Sequence, residues 1–194
     1  MSAAGDIDGD GLADLVYATS SADGVLQATT LFSDGTTFSP SPSDATDLTV
    51  LAGGELIVMD VNADGRDDVL YATLGGDGQL VLTTLRSAGR DGFVQVDGVL
   101  AGSLEAGGQL IPADVNADGN TDAVYLTADP DSGELLVQVL LNDGQVFTPG
   151  PPARTGLDFG GLVTPAALTG GPVPELLACT PDPDQGLQDR TSVV

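Results

Sequence analysis

The chain has no histidine, no tryptophan and no lysine, and a single cysteine among 194 residues. Without His or Lys, the usual general bases and the Schiff-base nucleophile of enzymes are missing. Cys179 has no candidate base beside it in sequence, so it reads as a small buried hydrophobe, and alone it forms no internal disulfide. Positive charge is almost as scarce: five Arg stand against 29 acids, for a net charge of −24. Such a surface repels phosphate, which excludes nucleic acid and anionic membrane surfaces as expected partners. No run approaches the roughly 18 apolar residues that span a bilayer, so membrane insertion is not expected. The opening Met1-Ser-Ala-Ala-Gly5 carries neither a basic nor an apolar stretch and is not a secretory signal. We expect a chain cut from a longer one, with its signal and further repeats upstream.

What is present is apolar and turn-rich. Apolar residues make up 41% and aromatics only 4%, so the expected core is Val, Leu, Ile and Ala. Twenty-seven Gly and 12 Pro imply many turns between short strands.

One nine-residue pattern occurs three times. It reads Asp6-Ile-Asp8-Gly-Asp10-Gly11-Leu12-Ala-Asp14, then Asp60-Val-Asn62-Ala-Asp64-Gly65-Arg66-Asp-Asp68, then Asp114-Val-Asn116-Ala-Asp118-Gly119-Asn120-Thr-Asp122, each copy 54 positions after the last. Oxygen side chains at positions one, three, five and nine, with Gly at six for a sharp turn, are what a hard cation such as Ca²⁺ requires of a short loop. Position seven (Leu12, Arg66, Asn120) offers its backbone carbonyl. Ile7, Val61 and Val115 at position two are expected to point into the core. Ten of the twelve side-chain ligands are Asp. Without a cation, like charges held this close destabilise the loop. Three Ca²⁺ would bring −24 to −18, so a solubility or salt-adapted surface shares in the acidity. A β-hairpin loop is favoured over a helix–loop–helix calcium hand. The latter needs a carboxylate at position twelve, which here is Tyr17, Tyr71 and Tyr125, and no helical periodicity flanks the loops.

The repeat extends past the loops. Each is followed by an apolar phrase (Leu15-Val-Tyr17-Ala-Thr19, Val69-Leu-Tyr71-Ala-Thr73, Ala123-Val-Tyr125-Leu-Thr127), a Gly turn and a second β-rich run over 26–32, 80–85 and 135–141. A further turn, a run opened by Phe38, Phe93 or Phe147, and paired Gly before a fourth run complete the period. Four short runs per 54 residues predict an all-β chain, a β-propeller of four-stranded antiparallel blades. Two complete and two partial blades are expected: a partial blade with its metal loop over 1–50, blades over 51–105 and 106–158, a partial metal-free blade over 159–180, and a fraying tail over 181–194. Leu168 stands where a fourth first-position Asp would fall, and that segment has lost its ligands.

The phrases Asp-Val-Asn-Ala-Asp-Gly-x-x-Asp-x-Val and Val-Leu-Leu-Asn-Asp-Gly-x-x-Phe, within about residues 5–180, resemble FG-GAP/VCBS repeats, the calcium-loop blades of integrin-α-type β-propellers. The resemblance implies about three Ca²⁺ per chain. The ligands would be Asp6, Asp8, Asp10 and Asp14; Asp60, Asn62, Asp64 and Asp68; Asp114, Asn116, Asp118 and Asp122, with the carbonyls of Leu12, Arg66 and Asn120.

Two function classes follow. The first is a calcium-stabilised binding or scaffold module for adhesion or for carbohydrate or protein recognition, extracellular or at the cell surface. Its exposed blade edges invite homo-oligomerisation. The three Tyr share one repeat position and read as packing between blades rather than as sugar platforms. The second class is part of a secreted polysaccharide-active enzyme, catalytic or not. Against catalysis, most Asp sit in the loops, and Asp67 and Asp68 are neighbours facing opposite ways. Glu55, Glu105 and Glu134 read as solvated turn residues. No enzyme is expected. A purely architectural role in a larger assembly is the third reading.

Overall fold

The period-two alternation of each apolar run sets the architecture, because a strand with one apolar face must lay it against another sheet. The computed structural model describes residues 1–41, 54–74, 80–100, 108–158, 160, 162–166, 175–182 and 186–192. Strands β1 (Ser2–Gly5), β2 (Asp14–Ser20), β3 (Leu26–Ser33) and β4 (Phe38–Pro40) form an antiparallel sheet in chain order. Strands β5 (Glu55–Met59), β6 (Asp68–Leu74), β7 (Leu80–Ser87) and β8 (Phe93–Leu100) repeat it. The third sheet comprises β9 (Gln109–Ala113), β10 (Asp122–Ala128), β11 (Glu134–Asn142) and β12 (Phe147–Pro149), with β13 (Ala153–Asp158) also on β11. A three-stranded sheet of β14 (Leu162–Ala166), β15 (Glu175–Asp182) and β16 (Gly186–Ser192) follows. Among the described residues a 3₁₀ turn at Gly89–Asp91 is the only helical element, and no sheet closes on itself.

Register makes the repeat explicit. Gly5 pairs with Asp14, Met59 with Asp68 and Ala113 with Asp122, so each acidic loop is the hairpin joining the first two strands of its sheet. The last Asp of the motif opens the second strand. Successive sheets approach through their first strands: β1 lies beside β5, β5 beside β9, and β9 beside β14.

The structure corrects three expectations. The first sheet is complete rather than partial, because Ser2–Gly5 forms a strand. Ser-Ala-Ala-Gly has no β-branched residue and gives no strand signal on its own. Pairing with β2 supplies one, and the Met1 ammonium donates to the Ala18 carbonyl while the Ala18 N–H donates to that of Met1. The outer strand of the third sheet is split into β12 and β13 at Gly150-Pro151-Pro152, since proline has no N–H to give a ladder. Finally, the segment expected to fray contains β16, which pairs along the open edge of β15. The turn at Asp77-Gly78, the ligand-poor stretch around Leu168 and Glu105 lie outside the described residues.

Apolar layers bind sheet to sheet. Val16, Ala18, Leu26 and Ala28 of the first sheet meet Val69, Tyr71, Leu85 and Phe93 of the second. Leu70, Ala72, Leu80 and Leu82 of the second meet Leu110, Tyr125, Leu140 and Phe147 of the third. Val124, Leu126 and Val137 of the third meet Val163 of β14. Each fully buried Leu or Val contributes about 1.5–3 kcal/mol, so these layers are the main stabilisation of the stack. The buried tyrosines also tie down the entry to the first strand of their own sheets. The hydroxyls of Tyr71 and Tyr125 accept the N–H of Gly54 and Gly108 at 2.7 and 3.0 Å. The approach is so close that a Cβ on Gly54 would lie 1.9 Å from the Ala72 carbonyl oxygen, which is why only glycine fits.

Candidate metal centre

Each acidic loop is wound around the carboxylate of its first residue. Asp6 Oδ1 accepts the N–H groups of Gly9 and Asp10, and its Oδ2 accepts that of Gly11. Asp60 takes the N–H groups of Asp64 and Gly65, and Asp114 those of Asp118 and Gly119. The fifth-position Asp caps the seventh residue's N–H in every loop, at 2.8–2.9 Å. In the second and third loops Asn62 and Asn116 donate to Asp64 and Asp118. The position-six glycines Gly11, Gly65 and Gly119 all have positive φ, as the sharp turn requires.

Position four also turns left-handed, which the sequence reading missed: Gly9 fits there, but Ala63 and Ala117 sit at φ 56° and 59°. A left-handed non-glycine residue costs about 1–2 kcal/mol, offset in part by the greater chain entropy of glycine when unfolded. Ala63→Gly or Ala117→Gly is therefore expected to stabilise by up to about 1 kcal/mol, measured by urea denaturation.

The ninth residue ties loop to sheet. Asp14, Asp68 and Asp122 are buried, and each spans two backbone donors. Oδ2 accepts the position-two N–H (Ile7, Val61, Val115) at 3.0–3.2 Å. Oδ1 accepts the N–H of Ser33, Ser87 or Asn142 at the end of the third strand, at 2.7–2.8 Å. Ile7 and Val61 are buried as expected, and Val115 packs more loosely against the third layer.

Burial raises the pKa of all three ninth-position carboxylates despite these donors, that of Asp68 to about 6, and the other loop acids add to the effect. A raised folded-state pKa gives stability that is present at low pH and lost as pH rises through the folded value. The carboxylates lowered by backbone N–H donors (Asp118, Asp129 and Asp143, and Asp34 with its side-chain donor Thr36) change protonation below that window. In chelator, therefore, the protein should melt higher near about pH 4.5 than near about pH 7. Calcium should remove or reverse that difference, because the ion needs ionised ligands. Thermal melts at both pH values, with and without calcium, check this.

In the first loop the carboxylates of Asp6, Asp8 and Asp14 bring ligand oxygens within 4.8 Å of one another, the one such cluster among the described residues. Asp10 lies outside it, and the other loops carry Asn at position three. Asp8 has the most exacting environment of the three. Its side chain is only 8% exposed, Arg90 pairs with Oδ2 at 2.7 Å, and the buried Oδ1 has no hydrogen-bond partner. An orphaned carboxylate oxygen beside two further carboxylates fits a hard, oxygen-seeking ion.

Neighbouring sheets hold the loops in place. The Asp6 N–H donates to Asp67 Oδ2, and the Asp67 N–H returns a bond to the Asp6 carbonyl, each at 2.7 Å. Ser87 Oγ donates to the Ile7 carbonyl, and Asn142 Nδ2 to that of Val61. The Arg90 guanidinium lies 4.8 Å from the centre of the Phe32 ring. Sequence alone could not place these cross-sheet partners, because they are 58 to 81 residues apart.

The residues weighed for catalysis are engaged elsewhere. Glu55 opens β5, and its partly buried carboxylate accepts the Leu110 N–H at 3.0 Å. Glu134 opens β11, accepts the Gly156 N–H and pairs with Arg154. Both are strand residues bridging to neighbours, not solvated turn residues. Cys179 lies in β15. No helix among the described residues is long and apolar enough to cross a membrane. No protein-family model matches the chain, and no curated protein sequence matches it.

Proposed function

We propose that this chain is a calcium-braced repeat module of the FG-GAP/VCBS type, its sheets acting as β-propeller blades. It would serve recognition or scaffolding outside the cell, with about three Ca²⁺ per chain. The observation that carries this reading is the recurrence of one acidic hairpin between the first two strands of three sheets, with Asp8 Oδ1 left unpartnered in the first. The approach of successive sheets through their first strands supports a blade arrangement around an axis. The ions would stiffen the loop end of the stack, giving a preorganised surface for a glycan or protein ligand. Homo-oligomerisation through an uncovered sheet would extend or close the array. Catalysis is not part of the proposal, since the chain has neither His nor Lys and Glu55 and Glu134 are bound to neighbouring backbone.

The test is binding to a panel of glycans and extracellular proteins, with calcium and with chelator, alongside a polysaccharide turnover assay. Calcium-dependent binding without turnover is the expected result. Turnover that survives loop substitutions but is lost in Glu55→Gln or Glu134→Gln would contradict it.

A further inference from the structure

The first sheet presents an interface that the chain itself uses twice elsewhere. In the second and third sheets, the tyrosine of the second strand packs on the preceding sheet: Tyr71 and Tyr125 are 0% and 2% exposed. The phenylalanine that opens the fourth strand does the same, with Phe93 and Phe147 6% and 4% exposed. At the same positions in the first sheet, Tyr17 is 51% and Phe38 55% exposed. Leu15 and Leu31 are half-buried where their counterparts Val69 and Leu85 are fully buried. The polar part of the joint is repeated too. Ser33 occupies the strand position from which Ser87 and Asn142 donate to the preceding loop's position-two carbonyl. The register sets Tyr17 (opposite Thr29) and Phe38 (opposite Ser33) on one side of the sheet, flanking the Leu15–Leu31 pair, so the two exposed aromatics and two half-buried leucines form one face that stands out from single surface hydrophobes.

We propose that this face of the first sheet docks a second copy of the chain, head to tail, through that copy's fourth sheet. Continuity with the intramolecular interface selects this occupant. The first two joints within the chain each set the tyrosine- and phenylalanine-bearing face of one sheet on an apolar face of the sheet before it. Among the described sheets, the first three have that face covered by the sheet that follows, and the fourth is the last described. Its register (Ala166 opposite Glu175, as Ala113 is opposite Asp122) puts Leu177 and Cys179 at the strand positions held by Val124 and Leu126 in the third. A heterologous contact of this kind closes as a ring or grows as a filament. The inference rests on the repeat reading above and names the surface through which its association occurs.

Two measurements in calcium test it. Sedimentation velocity across a wide concentration range should show a concentration-dependent oligomer for the wild type. The double variant Tyr17→Asp/Phe38→Asp should sediment as a monomer with an unchanged melting midpoint, since both side chains are exposed. Tyrosine nitration of the unaltered protein, mapped by mass spectrometry, needs no variant. Tyr17 should react in dilute solution and lose that reactivity in concentrated solution, while Tyr71 and Tyr125 resist in both. A wild-type monomer at every concentration overturns the proposal. An oligomer that persists in the variant, with Tyr17 equally reactive throughout, overturns this face while leaving association by another surface intact. If the variant fails to fold, the nitration pattern decides.

Discussion

Moving the protein from saturating calcium into chelator should lower its melting midpoint by roughly 15–30 °C. An ion that binds only the folded state, at a hundred times its dissociation constant, stabilises by about 2.7 kcal/mol per site, so three sites contribute about 8 kcal/mol. In a chain of this size each kcal/mol moves the midpoint by about 2–4 °C. The three acidic hairpins lie at equivalent positions in three stacked sheets, so releasing their ions loosens the same end of each. Calorimetry in calcium, in magnesium and in chelator measures the shift. Magnesium should restore little of it, because that ion demands tighter octahedral geometry and keeps its waters. A midpoint unmoved by chelation would argue against metal in the loops.

Within one loop, substitutions at positions five and nine should behave differently. Asp64 lies at the loop's exposed side and pairs with Arg66 at 2.7 Å, an exposed ion pair contributing no more than about 1 kcal/mol. Asp64→Ala is therefore expected to cost stability in calcium and almost none in chelator. Asp68 is fully buried, and its two oxygens hold the N–H groups of Val61 and Ser87. Asp68→Ala strips both donors of their partner inside the fold and should cost about 3–5 kcal/mol whether or not calcium is present. Denaturant titrations of both variants in both conditions make a four-way comparison. Equal losses for Asp64→Ala with and without calcium would contradict its assignment as a ligand.

The difference between these two residues shows what the sequence carried and what it did not. The nine-residue pattern and its 54-residue period were legible because each position has its own chemical requirement: oxygen, oxygen, oxygen, glycine, oxygen. The strand runs were legible because Val, Leu, Thr and Tyr alternate between turns. The structural duty of Asp14, Asp68 and Asp122 was not, since it depends on Ser33, Ser87 and Asn142, which are 19 or 20 residues away. Nor was the strand at Ser2–Gly5, whose side chains have no strand preference and which forms because β2 offers it a ladder. The three tyrosines looked equivalent. Two are buried and one is exposed because Tyr71 and Tyr125 pack on the sheet before their own, while no described sheet covers Tyr17.

Calcium stoichiometry on the intact chain tests the central claim most directly. Isothermal titration of calcium into chelator-treated, desalted protein, with native mass spectrometry of the saturated sample, counts the ions. Three Ca²⁺ per chain, falling to two in Asp64→Ala, is the predicted result. A chain that takes up no calcium, or whose uptake is the same in Asp64→Ala as in the wild type, would contradict the assignment of the loops as metal sites.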